Sequence, residues 1–174
     1  GSHLSKKFGY TIKEILKDKF FVDRKIKILS SSKNNHVAES TGAAILKVSI
    51  ALQKINPDIL VLTGDRYEIF SAVISAGFYK VPIIHISGGE TTLGVIDEPI
   101  RHSITKFANF HFVTHQTYKK RVIQLGENPK NIYVVGNTSV ENIKNEKLLS
   151  KNEIEKKFKF KFQNENYLIT YHPV

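Results

Sequence analysis

The sequence predicts an α/β protein built on a doubly wound parallel sheet, and three observations carry that expectation. Short apolar runs at 59–63 (ILVLT), 81–86 (VPIIHI), 110–114 (FHFVT), 132–135 (IYVV) and 167–170 (YLIT) are continuous rather than alternating. Strands read this way when helices cover both of their faces. Between them lie stretches with helical spacing, and strand–helix alternation implies right-handed βαβ crossovers. Polar and charged residues recur just beyond the strands, where open α/β sheets bind their ligands.

Taken in order, GSHLSKKFGYTIKEI reads as a loop leading into a short helix, so a preceding strand or two is expected to be missing. KIKIL at 25–29 is a weaker strand. Residues 37–55 place Ile45, Val48, Leu52 and Ile55 on one helical face, and Asn56-Pro57 stops that helix. Residues 67–79 are apolar enough to be well covered. Asp97 or Glu98 is expected to cap a helix over 98–108, with Pro99 in its first turn, where a missing N–H costs nothing. Tyr118, Val122 and Leu125 form a stripe that Gly126 ends. Residues 139–162 are polar, lysine-rich and weakly helical, as a linker would be, and YLITYHPV then begins a new strand. The expected division is a domain over 1–145 without its first strand, followed by a linker and the start of a second domain over 146–174.

Composition narrows the function classes. The chain has 174 residues and no cysteine, so disulfides and thiolate metal sites are excluded and a reducing cytoplasm is the simplest home. No run approaches the roughly 18 apolar residues of a membrane span, and no signal peptide is visible. Methionine is absent, which suits a piece of a longer chain. Net charge is +10, from 26 Lys and Arg against 16 Asp and Glu. That excess can attract a polyanion. Yet the lysines are spread out, the densest run at 151–162 also carries glutamates, and no aromatic–arginine motif of an RNA-binding sheet occurs. A solvated surface is the better reading. A basic nucleic-acid-binding module is kept as the non-enzymatic alternative.

Chemistry concentrates at the strand ends. Gly64-Asp65-Arg66 follows the first long run, His85 to Glu90 ends the second, and His115, Gly136-Asn137 and His172 follow the others. Asp65 fits either a helix cap or a carboxylate poised for proton transfer in a cleft. Gly88-Gly89 fits either a turn or the close approach of backbone N–H groups to a phosphate or sugar. Asp97 with Arg101, and Glu98 with His102, are spaced to pair at i, i+4. There is no HExxH, GxGxxG or GxxxxGK[ST] motif, so no metal or nucleotide cofactor is implied.

The stretch from GDRYEIF through PIIHISGGETTLGVIDEPIRHSITKFANFHFVTHQTYKKRVIQLGENPKNIYVVGNTSVENI resembles the hydrolysing UDP-N-acetylglucosamine 2-epimerases of sialic acid biosynthesis. It is equally similar to the relatives acting on UDP-N,N'-diacetylbacillosamine in legionaminic acid synthesis. The resemblance implies a glycosyltransferase-B-like architecture of two Rossmann-like domains, with this chain forming most of the first. It implies loss of UDP from C1 by anti elimination of the C2 proton, then addition of water to give N-acetylmannosamine. A non-hydrolysing 2-epimerase is the runner-up enzyme, which the RHSITK block argues against. By the same likeness, Asp65, Glu90, Asp97 and His172 form the catalytic set. Arg66, His85, Gly88, Gly89, Glu98, Arg101 and His102 would line the nucleotide-sugar site. Some relatives read HIEGGE, with a catalytic glutamate where this chain has Ser87, so base and acid are not assigned. A cytoplasmic homo-oligomer with no resident cofactor is implied, and the truncated piece is expected to be inactive alone.

Overall fold

The computed structural model describes residues 1–29 and 36–171, and the chain divides into two units, Gly1–Val135 and Gly136–Val174. In the first unit, 3-10 turns at Ser2–Leu4 and Lys6–Phe8 lead into α1 (Ile12–Lys17). Then follow α2 (His36–Ile55), β1 (Leu60–Thr63), α3 (Tyr67–Phe78), β2 (Ile83–Ile86), α4 (Asp97–Phe107), β3 (Phe110–Val113), α5 (Gln116–Gln124) and β4 (Ile132–Val134). Among the described residues the four strands form one parallel sheet in the order β1-β2-β3-β4. The parallel α/β class is the one the sequence predicts.

Register explains which side chains the helices cover. Leu62 lies beside His85, His85 beside His111, and His111 beside Ile132, so one row of side chains crosses the sheet on a single face. All four are buried. Val73 of α3 and Ile104 of α4 pack with Leu62 and Ile83 on this face, and Val122 of α5 packs with Val113 and Ile132. Strands in sequential order joined by right-handed crossovers bring every connecting helix to the same side. The continuous apolar runs anticipate cover on both faces. Instead the alternate row is more open, with Val61 55% and Tyr133 45% exposed and Phe112 stacked on Tyr133 at 5.2 Å.

α2 joins through part of its aliphatic stripe, with Leu52 buried in the core and Val48 packed against it, and through small residues. Ser40 and Ala44 are buried, whereas Ile55 is exposed. Ser71 and Ser75 of α3 donate across to the Thr41 and Ile45 carbonyls of α2, at 3.2 and 3.0 Å. Each also back-bonds within its own helix. Small side chains let the two backbones approach closely, so the serines and alanines of α2 add a contact that its aliphatic stripe does not indicate.

Two expected strands do not form among the described residues. Residues 25–29 run without a ladder partner, and the Lys27 carbonyl accepts from Lys47 Nζ at 2.6 Å instead. Residues 167–170 are likewise unpaired, with Leu168 97% exposed. β-branched composition marks what a strand tolerates, but a strand exists only where a neighbour completes its hydrogen bonds. The cap expected at Asp97 or Glu98 is also absent. α4 begins after Ile96 with no side-chain cap, because Glu98 is engaged elsewhere.

The second unit contains α6 (Thr138–Asn145), capped by Asn137, and α7 (Lys151–Phe158). α7 opens on a reciprocal capping box between Ser150 and Glu153, a firmer start than its lysine-rich composition indicates. Phe160 and Phe162 meet edge to face at 4.8 Å just after it. Among the described residues no helix is long and apolar enough to cross a membrane.

Candidate active site

Three turns at the carboxyl ends of adjacent strands carry the polar residues: Gly64-Asp65 after β1, Ser87 to Glu90 after β2, and Thr114-His115 after β3. Arg101, on α4 and only 5% exposed, joins the first two. Its Nε donates to Asp65 Oδ2 at 2.8 Å, and Nη2 donates to the same oxygen. Nη2 also reaches Thr92 Oγ1 at 3.0 Å, while Nη1 donates to the Glu90 carbonyl at 2.9 Å and to Glu98 Oε2 at 2.8 Å. A buried guanidinium must have its donors satisfied, and here one planar fork ties the β1 turn, the β2 turn and the 90–98 loop together.

Glu98 is saturated by the same network. Oε2 accepts from the Thr92 amide at 2.6 Å as well as from Arg101, and Oε1 meets His102 Nε2 at 3.1 Å. The Thr92 amide, with smaller contributions from His102 and Arg101, holds the Glu98 carboxyl below the usual carboxylate range. The Glu98–His102 pair is the one expected from spacing. The Asp97–Arg101 pair is not made, because Arg101 turns to Asp65 and Glu98. The side chain of Asp97, at the first residue of α4, has no hydrogen bond or ion pair to any described residue.

The turn after β2 is held by its packing. Ser87 takes a left-handed conformation (φ 66°) and its amide donates to the Phe112 carbonyl at 2.9 Å. A Cβ on Gly88 would lie 2.9 Å from His85 Nδ1, and one on Gly89 (φ 80°) would lie 2.7 Å from the Tyr118 carbonyl oxygen. Arg121 donates to the Gly89 carbonyl. The two glycines are therefore required where the turn presses on its own strand and on α5.

His85 is fully buried. Its Nε2 faces the Gly64 carbonyl at 3.1 Å, which can only accept, so Nε2 carries the hydrogen and Nδ1 faces Thr105 Oγ1 at 3.2 Å. Burial pushes the imidazole down to about 4, against the opposing pull of the Gly64 carbonyl, so the ring is neutral at physiological pH. It acts as a strut under the turn that carries Asp65. Arg66 points back to Glu68 at 3.2 Å, outside the Arg101 network. His172 lies outside the described residues. Among the described residues no three His, Cys, Asp or Glu side chains are placed to hold a metal ion.

The family model for UDP-N-acetylglucosamine 2-epimerases matches residues 1–174. The chain belongs to the UDP-N-acetylglucosamine 2-epimerase family. It is 43% identical to the Campylobacter jejuni GDP/UDP-N,N'-diacetylbacillosamine 2-epimerase (hydrolyzing), over 100% of this chain and 45% of that protein. It is 36% identical to the polysialic acid biosynthesis protein P7 of Escherichia coli, over 99% of this chain and 44% of that protein. It is 31% identical to the Legionella pneumophila UDP-N,N'-diacetylbacillosamine 2-epimerase (hydrolyzing), over 100% and 46%. The chain thus spans about half the length of the curated relatives it matches. A solved structure of the Neisseria meningitidis UDP-GlcNAc 2-epimerase bound to UDP-GlcNAc superposes with a TM-score of 0.71 at 22% identity, covering 87% of this chain and 43% of that one. This structural neighbour has the glycosyltransferase-B-like fold.

In this epimerase-family chain Ser87 brings no carboxylate to the β2 turn, so the acidic side chain of that turn is Glu90. Several residues of the network escape sequence reasoning. Thr92, Thr105 and Thr114 bond to Arg101, His85 and Glu90, but a hydroxyl in a loop or helix carries no pattern. His111 has a visible signal, a histidine inside an apolar strand. It is buried beside Glu127 at 3.3 Å, which also takes Lys106, and burial lowers its pKa despite the glutamate.

Proposed function

We propose that the chain supplies the catalytic carboxylates of a hydrolysing UDP-sugar 2-epimerase. One carboxylate removes the C2 proton of a UDP-linked 2-acetamido sugar. The C1–O bond breaks on the opposite face, and UDP departs with that electron pair. Water then adds across the resulting glycal, its hydroxyl to C1 and a proton to C2 from the other face, releasing the 2-epimeric sugar. The observation that carries this reading is the spread of acidic roles around Arg101. Glu98 is consumed by hydrogen bonds, Asp65 is tied through one oxygen to the Arg101 cation, Glu90 is held through one oxygen by the neutral Thr114 hydroxyl, and the Asp97 carboxylate is unbound among the described residues. Glu90 and Asp97 are assigned the proton transfers, and Asp65 offsets the positive charge that develops at C1.

Relatives reorder the two candidate substrates. The proteins at 43% and 31% identity carry N,N'-diacetylbacillosamine and hydrolysis in their names, GDP/UDP-linked in the first and UDP-linked in the second, which favours that sugar for this chain over N-acetylglucosamine. The second substrate keeps support from the Neisseria structure, which binds UDP-GlcNAc. With the full-length protein, UDP release is expected to be at least about tenfold more efficient for the diacetylated sugar, the scale of one well-made polar contact in a specific pocket. Equal or better turnover of UDP-N-acetylglucosamine would reverse the order. No UDP release from either, together with salt-dependent binding of single-stranded RNA, would favour the basic binding module.

A further inference from the structure

We infer that Thr114 is a positioning residue for Glu90, and this rests on the reading of Glu90 as a proton-transfer group. Thr114 is the first residue beyond β3, and its half-buried hydroxyl donates to Glu90 Oε1 at 3.0 Å. The backbone beneath Glu90 is already fixed at three points. The Ser87 amide is bonded to Phe112, the Gly89 carbonyl to Arg121, and the Glu90 carbonyl to Arg101. A glutamate side chain on a fixed backbone still has three rotatable bonds, whose freedom opposes a single carboxylate orientation. The Thr114 hydroxyl removes that freedom by holding one oxygen. Oε2 then has no partner among the described residues and is left to meet a substrate proton.

This arrangement divides the labour on Glu90. Arg101, which also binds Asp65, sets where the residue sits, while Thr114 sets where its carboxylate points. Because Thr114 directly follows β3 and Glu90 lies in the turn after β2, the contact depends on the β2–β3 register that pairs Ile86 with Phe112. A proton-transfer group gains from such preorganisation because a misdirected carboxylate must first rotate into line.

The test uses the full-length protein with UDP-N,N'-diacetylbacillosamine and UDP-N-acetylglucosamine as probes. Thr114→Val, nearly isosteric but without the donor, is expected to lower kcat about tenfold, the scale of one lost hydrogen bond to a charged group, with KM within about twofold. Thr114→Ser should restore most of kcat, since it keeps the hydroxyl. In the background of Glu90→Gln, adding Thr114→Val should cost nothing further, because the group it positions is gone. An unchanged kcat in Thr114→Val, an equal fall in both variants, or a full further loss in the double variant overturns the inference. If Glu90→Gln itself leaves kcat intact, the role of Glu90 fails first and this inference with it. Absence of wild-type turnover on either probe also overturns both.

Discussion

Arg101→Met is expected to lower the unfolding free energy of the protein by about 3 kcal/mol, measured by urea denaturation. The guanidinium is nearly fully buried and makes contacts to Asp65, Glu90, Thr92 and Glu98. Methionine of similar length fills its volume but leaves two carboxylates facing each other's vicinity without a cation. Breaking a buried pair from one side costs about 3–5 kcal/mol, and the lower end applies because Asp65 and Glu98 retain 24% and 22% side-chain exposure. Arg101→Lys should fall between, since an ammonium restores charge but cannot span four partners with a planar fork. Adding Asp65→Asn to Arg101→Met should return part of the loss. A Met variant as stable as wild type, or a double variant whose losses simply add, would remove Arg101 from the centre of this account.

The second large effect concerns turnover. Glu90→Gln and Asp97→Asn are each expected to cut kcat of the full-length protein by about 10²–10⁴-fold, the contribution of a placed proton-transfer group. Both substitutions keep shape and remove only the ability to carry a proton. Glu98→Gln is expected to act differently. Its oxygens are bound by Thr92, Arg101 and His102, so it should lower stability and loosen the 90–98 loop more than it lowers kcat. If Glu98→Gln instead gave the largest fall in kcat at unchanged stability, the proton-transfer roles would have to move along α4 by one residue.

Much of this was legible in the sequence because periodicity and punctuation are local. Apolar runs of four or five residues separated by helical spacing led to the parallel sheet, and Asn56-Pro57 marked the end of α2 within a residue. The site was legible as a set of strand ends. Its wiring was not. Spacing favoured Asp97 for Arg101, but an exposed i, i+4 pair is worth only about 0.2–0.5 kcal/mol. A forked, buried contact to Asp65, 36 residues away, outweighs it and has no trace in local sequence. The sequence leaves Gly88 and Gly89 open between a turn and ligand approach, and the atoms crowding them belong to His85, Thr105, Tyr118 and Val122. Only tertiary contacts could show that. Residues 167–170 lack a ladder among the described residues for the same reason, since composition cannot supply a neighbour.

Proton NMR of the full-length protein turning over its UDP-sugar in D₂O tests the central claim most directly. Elimination followed by hydration predicts free UDP together with a released 2-epimeric sugar carrying deuterium at C2. Release of UDP and a sugar that keeps protium at C2 would show direct hydrolysis and contradict the account. So would a product that remains linked to UDP.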